Sequence, residues 1–304
     1  MASTCAIGYH NWAFELECIA YSLFGSIEPS APLSNLLTPI LGQKAIAATD
    51  GPTGFAVDWS NGSPTVGARV DIVALLNHNI LEAPSNIGFG MYDADGGSFS
   101  PSGLPIELFG FGTDGSFQSH LVWVMGANDT PGLNRDRVYY VGWSFPADTI
   151  TGSKNPYTGE VTRERLSMGA VWAGPSFAPR RGIAIDGLNQ SIADNSQVVR
   201  SIGGQVWAEP ETRQRRCKIN FAGLYESEVF ALAPNSSLQQ LAAHCGLSRP
   251  MIAIPTTSSD ELIYTQAVYG YAASPPTYSL IEKADDYGSK VRFYDAEIEI
   301  IEAR

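Results

Sequence analysis

At 304 residues the chain is about twice the usual single-domain length, so it can bury a core, or two, without disulfides or metals. Its four cysteines, Cys5, Cys18, Cys217 and Cys245, form no C-x-x-C pair and adjoin no histidine pattern, which argues against a zinc site or a disulfide framework and for thiols kept reduced in a cytoplasm. The net charge is −12, with 5 basic against 15 acidic residues up to position 160 and 14 against 16 beyond it; an acidic first half repels phosphates and argues against nucleic acid there.

The N-terminus lacks the basic residues and cleavage pattern of a secretory signal, and its apolar run 18–24 is bracketed by Glu15, Glu17 and Glu28. No segment reaches the roughly 20 apolar residues that span a bilayer, so the expectation is a soluble chain that reaches its place by assembly rather than secretion. Thirty glycines, 19 prolines and 32 aromatic residues separate short apolar runs, a composition of β structure. Strands are predicted at 55–59, 70–76, 87–92, 106–110, 121–125, 138–143 and 168–172, each closed by Gly, Pro, Asn or Asp. Their spacing implies a sandwich or jelly roll. The strand at 70–76 is too apolar to face water on both sides, and it ends in a polar corner, Asn77-His78-Asn79.

A border is predicted near 173–181, where Gly174, Pro175 and Pro179 interrupt any strand and the charge balance changes. Beyond it, segments 205–208, 216–221, 228–232, 251–254, 263–271 and 291–301 read as strands. A single helix is expected at 237–245: Ser237 is a cap candidate, Leu238, Leu241, Ala242 and Cys245 make one apolar stripe, and Gly246 stops it. The fold class is therefore mainly β, a jelly-roll sandwich over residues 1–178 followed by a β-rich assembly unit over 179–304 with one packed helix.

Few residues suggest chemistry. His78 has no G-x-S-x-G elbow, H-E-x-x-H or clustered second histidine to work with, so it reads as a turn residue closing a buried strand. Asp93 and Asp95, followed by Gly96 and Gly97, carry part of a calcium-loop pattern, but the terminal Glu is missing because position 12 is Leu104. A glycine-bearing turn is the simpler reading. The pair Glu226 and Glu228 falls on one face of a predicted strand, and Asp285-Asp286 reads as a turn, so neither suggests glycan hydrolysis. The Gly110–Gly115 stretch lacks the helix and Gly-Lys-Ser/Thr ending of a phosphate loop. The basic cluster Arg213, Arg215, Arg216 and Lys218 could face DNA; with Glu209 and Glu211 just before it, a hairpin with cross-strand ion pairs or a rim that meets an acidic neighbour is the simpler account. No catalytic residue and no cofactor are predicted.

Taken in order, Ser34-Asn35-Leu36-Leu37, Thr49-Asp50-Gly51, a strand with Trp59, the run from Ala68 to Asn79 and then Gly90-Met91-Tyr92-Asp93 resemble the galactose-binding-like, or discoidin-like, jelly roll of tailed-bacteriophage tail proteins, over residues 31–178. The second half, with Gly203-Gly204-Gln205, the basic run from Arg213 to Lys218 and Phe221-Ala222-Gly223-Leu224, is similar to the remainder of such proteins and to the one-helix unit of tail tubes and distal-tail rings. The resemblance implies a non-enzymatic virion structural protein, made in the host cytoplasm and placed in the tail or its distal baseplate. It would form a ring of identical copies that docks tube, hub or fibre proteins. A carbohydrate-binding module that touches host surface glycan and a glycan-degrading tail enzyme are the alternatives.

Overall fold

The computed structural model describes residues 5–14, 18–60, 67–82, 88–95, 98–99, 108–111, 117–124, 134–154, 158, 160–184, 187–194, 197–200, 206–209, 213–230, 237–255, 267–284 and 290–303. The chain is mainly β and its strand pairings are antiparallel. Three sheets form successive layers. The outer sheet orders Ile19–Phe24, Thr53–Asp58, Val138–Phe145, Gly88–Asp93 and Ser98–Phe99; the middle sheet orders Ala170–Gly174, Ile72–His78, Phe117–Val124 and Leu108–Phe111. The broad, eight-stranded sheet runs Ser176–Phe177, Ala6–Gly8, Met251–Ile254, Val268–Ala272, Lys290–Glu302, Arg213–Tyr225 and Leu188–Asp194. Its eighth strand, Thr277–Ala284, pairs with the first half of Lys290–Glu302, on the edge that Val268–Ala272 occupies farther along. Pro275 and Pro276 separate these two strands, where a missing N–H ends the ladder.

Alternation of side chains assigns each layer its partner. Val73, Leu75, Val171 and Ala173 of the middle sheet share one core with Phe55, Val57, Met91, Val141 and Trp143 of the outer sheet. The intervening Ile72, Ala74, Leu76 and Trp172 point the other way, onto Ala6, Ile252, Ile254 and Tyr269 of the broad sheet. The apolar strand at 70–76 is thus observed as Ile72–His78, buried at every position because sheets cover both of its faces. The far face of the broad sheet, with Ile7, Ile219, Met251 and Ile300, packs against two helices through Val229, Leu238, Leu241 and Cys245.

At the predicted border the chain steps between layers. Gly174 pairs with Ile72 in the middle sheet, and after Pro175, Ser176 pairs with Gly8 in the broad one. Asp71, 5% exposed, fastens this step: its carboxylate accepts the Ser176 N–H at 3.0 Å and pairs with Arg69 at 2.9 Å and Arg135 at 3.5 Å. The N-terminal strand Ala6–Gly8 joins the broad sheet between Ser176–Phe177 and Met251–Ile254.

The expected helix is present as Leu238–Cys245 (α2 below), and Ser237 and Gln240 form a reciprocal capping box. A second helix, Glu226–Phe230 (α1 below), replaces the start of the strand expected at 228–232; residues 231 and 232 lie outside the described ones. Its cause is local. Glu228 reaches back to accept the Tyr225 N–H at 2.8 Å and also takes the Arg180 N–H at 2.6 Å, so its buried carboxylate stabilises the first turn.

Candidate assembly edge and seam cleft

The structure accounts for the sequence candidates one by one. In the basic cluster, the largely covered Arg215 packs against the buried Glu302, with Nη2 and Nε at 2.6 and 2.8 Å from Oε1. Lys218 pairs with Glu297 at 2.8 Å and Arg216 with Glu299 at 4.0 Å; of Arg213 the backbone is described, in the same strand Arg213–Tyr225. Cross-strand ion pairs are present, but not in the expected hairpin: Val206–Glu209 pairs with Gln197–Arg200, whereas Arg213–Tyr225 lies between Leu188–Asp194 and Lys290–Glu302, and the carboxylates come from Lys290–Glu302. Strand pairing places Arg216 opposite Ile301 and Lys218 opposite Glu299, so the ion pairs run along diagonals.

Asp93 is 3% exposed and accepts the N–H groups of Asp95 and Asn134. Asp95 binds the Asn134 amide at 2.7 Å and pairs with Arg137. Both carboxylates hold the Asp93–Asp95 turn against the segment 134–137. Among the described residues, no group of three or more His, Cys, Asp or Glu is arranged to hold a metal ion.

The Asn77-His78-Asn79 corner binds backbone groups through all three side chains. Asn77 has φ of 51° and donates to Leu41 O at 2.8 Å; Asn is one of the few residues that accept this left-handed backbone. His78, 2% exposed, accepts the Ile80 N–H on Nδ1 at 3.1 Å. Asn79 clamps the neighbouring segment, taking the Ser167 N–H and donating to Arg165 O, each at 2.8 Å. Glu228 serves α1 as described above. Asp285 and Asp286 lie outside the described residues.

A cleft of about 630 Å³ opens where the N-terminal segment, the loop around Arg69 and helix α2 meet. Its wall is a stack of three rings: His10 lies between Trp12, at 3.8 Å, and His244, at 3.9 Å and 16° from parallel. Trp12 donates its indole N–H to Arg69 O at 2.8 Å, and Arg249 stands 2.9 Å from His244 Nε2. Arg69 and Asp136, 3.9 Å apart, and Gln240 supply polar groups to the same cleft. His10 and His244 are too far apart in the chain for any spacing rule to pair them; the fold brings them together by docking α2 on the segment after Ala6–Gly8.

The larger surface feature is the edge of the outer sheet. Ile19–Phe24 pairs with Thr53–Asp58 on one side and, among the described residues, ends the sheet on the other. Ile19, Tyr21, Leu23 and Phe24 are 53, 38, 44 and 44% exposed. The Phe24 ring lies on Gly54, where a Cβ would come within 2.5 Å of it. Tyr140 continues the apolar surface across the sheet face, with ring centroids 6.4 Å from Tyr21 and 5.2 Å from Tyr92. Burial, followed by the neighbouring Tyr21 and Tyr92 phenols, pushes the Tyr140 phenol up. Edge strands usually carry Lys, Pro or an inward charge against unwanted pairing; the six residues of this one carry none. In the sequence, 18–24 is an apolar run too short to span a membrane. The missed signal was the alternation of bulky Ile19, Tyr21 and Leu23 with small Ala20 and Ser22.

Comparison with protein-family models found no match, and comparisons with curated proteins and with solved structures found none either. No helix among the described residues is long and apolar enough to cross a membrane.

Proposed function

We propose that the chain is a structural subunit of a tailed-phage particle, placed in the tail or its distal baseplate, that works by surface recognition between copies of itself and with neighbouring tail proteins. The observation that carries assembly is the exposed apolar strand Ile19–Phe24, continuous with the Tyr21, Tyr140 and Tyr92 face, because contiguous exposed apolar surface marks interaction sites. The two facing sheets are the part we read as a galactose-binding-like jelly roll, and the phage assignment rests on the sequence resemblance. Repetition of one modest contact around a closed assembly sums to a stable whole. Mass spectrometry of purified particles, followed by cryo-EM localisation, tests this: the chain is expected in stoichiometric amount in the tail, and its absence from particles overturns the reading.

A second reading has one observation behind it. The ring-walled seam cleft, with Arg69, Asp136 and Gln240 at its rim, has the mix of apolar wall and few polar groups common in small-ligand sites and would suit a host glycan. Glycan-array binding that is lost in Trp12→Ala supports it; an array without signal for the intact chain rejects it.

A further inference from the structure

We infer that the His10–His244 stack is an acid-sensitive latch: it holds the last turn of α2 on the N-terminal segment while His244 is neutral, and lets go when that ring takes a second proton. The latch belongs to the wall of the seam cleft and does not depend on a ligand there. Arg249 sets the charge that His244 can carry, because its Nη1 stands 2.9 Å from Nε2 and 3.4 Å from Nδ1 of the ring. A guanidinium has donors only, so the ring nitrogen that meets it must offer a lone pair. A doubly protonated imidazole has none, and its charge would lie beside a cation that never titrates.

The stack adds a second repulsion. His10 lies 3.9 Å from His244 and 16° from parallel, so charge on both rings sets two cations face to face. Charge on His10 alone is different, because Trp12 covers that ring at 3.8 Å and an indole face attracts a cation. Among the described residues of the cleft, the other groups around the stack are Tyr9, its ring 6.3 Å from His244 and steeply inclined, Gln240 one turn earlier on α2, and Arg69 and Asp136 on the loop side. Asp136 is the carboxylate of this set, and Arg69 engages it at 3.9 Å while binding Asp71 at 2.9 Å. A helix favours a cation in its last turn, and Arg249 already supplies one at this end of α2.

The side that yields is α2. His10 is pinned through its backbone: its carbonyl lies over Gly174, where a Cβ would overlap it, and the neighbouring Tyr9 donates its N–H to Pro175 O at 3.4 Å. Strand Ala6–Gly8 is held further by Ser176–Phe177 and Met251–Ile254 on its two sides. The last turn of α2 meets this segment through the His244 stack and through the Cys245 thiol, which donates to Tyr9 O at 3.0 Å. Loss of the stack leaves that thiol contact to hold the turn in place.

The test is backbone hydrogen exchange of the full chain, read by mass spectrometry on the two sides of the ordinary histidine range at about pH 6.5, with rates corrected for the intrinsic pH dependence of exchange. Peptides covering α2 should exchange roughly tenfold faster or more on the acid side, while those covering the remote strand Thr53–Asp58 keep their protection. His244→Phe keeps a ring in the stack that cannot take a proton, and should abolish the acid response. An equal acid response in His244→Phe, or none in the unaltered chain, overturns the latch. A second readout needs no substitution. With the four histidines isotope-labelled for NMR, the ring signals of His10 and His244 should lose their ring-current shifts together as pH falls. If His244 takes its proton and keeps that shift, the stack survives the charge and the inference fails.

Discussion

At the scale of single residues, the buried charges are spent on structure. Glu302 and Arg215 are 4 and 11% exposed as side chains, and Glu302 also accepts the Arg215 N–H at 3.2 Å. Removing one member leaves the other charge buried, so Glu302→Ala should cost about 3 kcal/mol or more in urea unfolding. The half-exposed Lys218–Glu297 pair should yield less than about 1 kcal/mol in Glu297→Ala; equal losses would mean that burial does not separate them. The thiols supply a pH dependence. Burial raises Cys18 and Cys245 to about 12 and Cys217 to about 11, with Asp58 adding to the effect at Cys18. In an unfolded chain thiols ionise near about 8.5, so between these values the folded state binds more protons. Its stability is then fully present below the unfolded value and falls as pH rises toward 11. Urea midpoints should decline from pH 8 to pH 10, and native protein should resist iodoacetamide at pH 8.5 until denaturant is added. Rapid labelling of the native chain would contradict this burial.

At the scale of elements, helix α2 shows what local sequence can specify. Ser237 is fully buried and accepts the Gln240 N–H while Gln240 Oε1 takes the Ser237 N–H, so Ser237→Ala should lower stability by about 1 kcal/mol with no change of fold, read by urea unfolding and circular dichroism. This helix was legible in the sequence because cap, stripe and stop are all local. So was Met251–Ile254, an apolar run that ends at Pro255. Helix α1 was not, because Glu226-Ser227-Glu228-Val229-Phe230 alternates like a strand and owes its turn to Arg180, which is distant in sequence. The strand Ile19–Phe24 was missed for the opposite reason: its pattern was that of a strand, but nothing local says that its bulky side chains stay exposed. The basic cluster was half legible, since ion pairing could be foreseen from nearby acids, yet the actual carboxylates arrive with the last strand of the chain.

At the scale of the whole molecule, the consequence of three stacked sheets is interdependence of the two halves. The middle sheet is covered on both faces, so a polypeptide cut at residue 178 would expose Ile72, Ala74, Leu76 and Trp172 and deprive Ala6–Gly8 of its Met251–Ile254 neighbour. The remaining piece would lack the strand Ala6–Gly8, the Cys245 thiol would lose its bond to Tyr9 O at 3.0 Å, and His244 would lose its stack on His10. Uncovering Trp172, Leu76 and Ile72 alone forfeits several kcal/mol at roughly 2 kcal/mol per large side chain, a large part of the about 5–15 kcal/mol that a folded protein commands. The intact chain should therefore unfold in one transition seen alike by tryptophan fluorescence, which reports largely on the first half, and by far-ultraviolet circular dichroism, which reports on the sheets of both halves. Residues 1–178 made alone should bind a hydrophobic dye and lack a sharp thermal transition. Two separated transitions in the full chain, or a cooperative fold of 1–178, would show instead that the outer and middle sheets stand by themselves and that the broad sheet is an attachment.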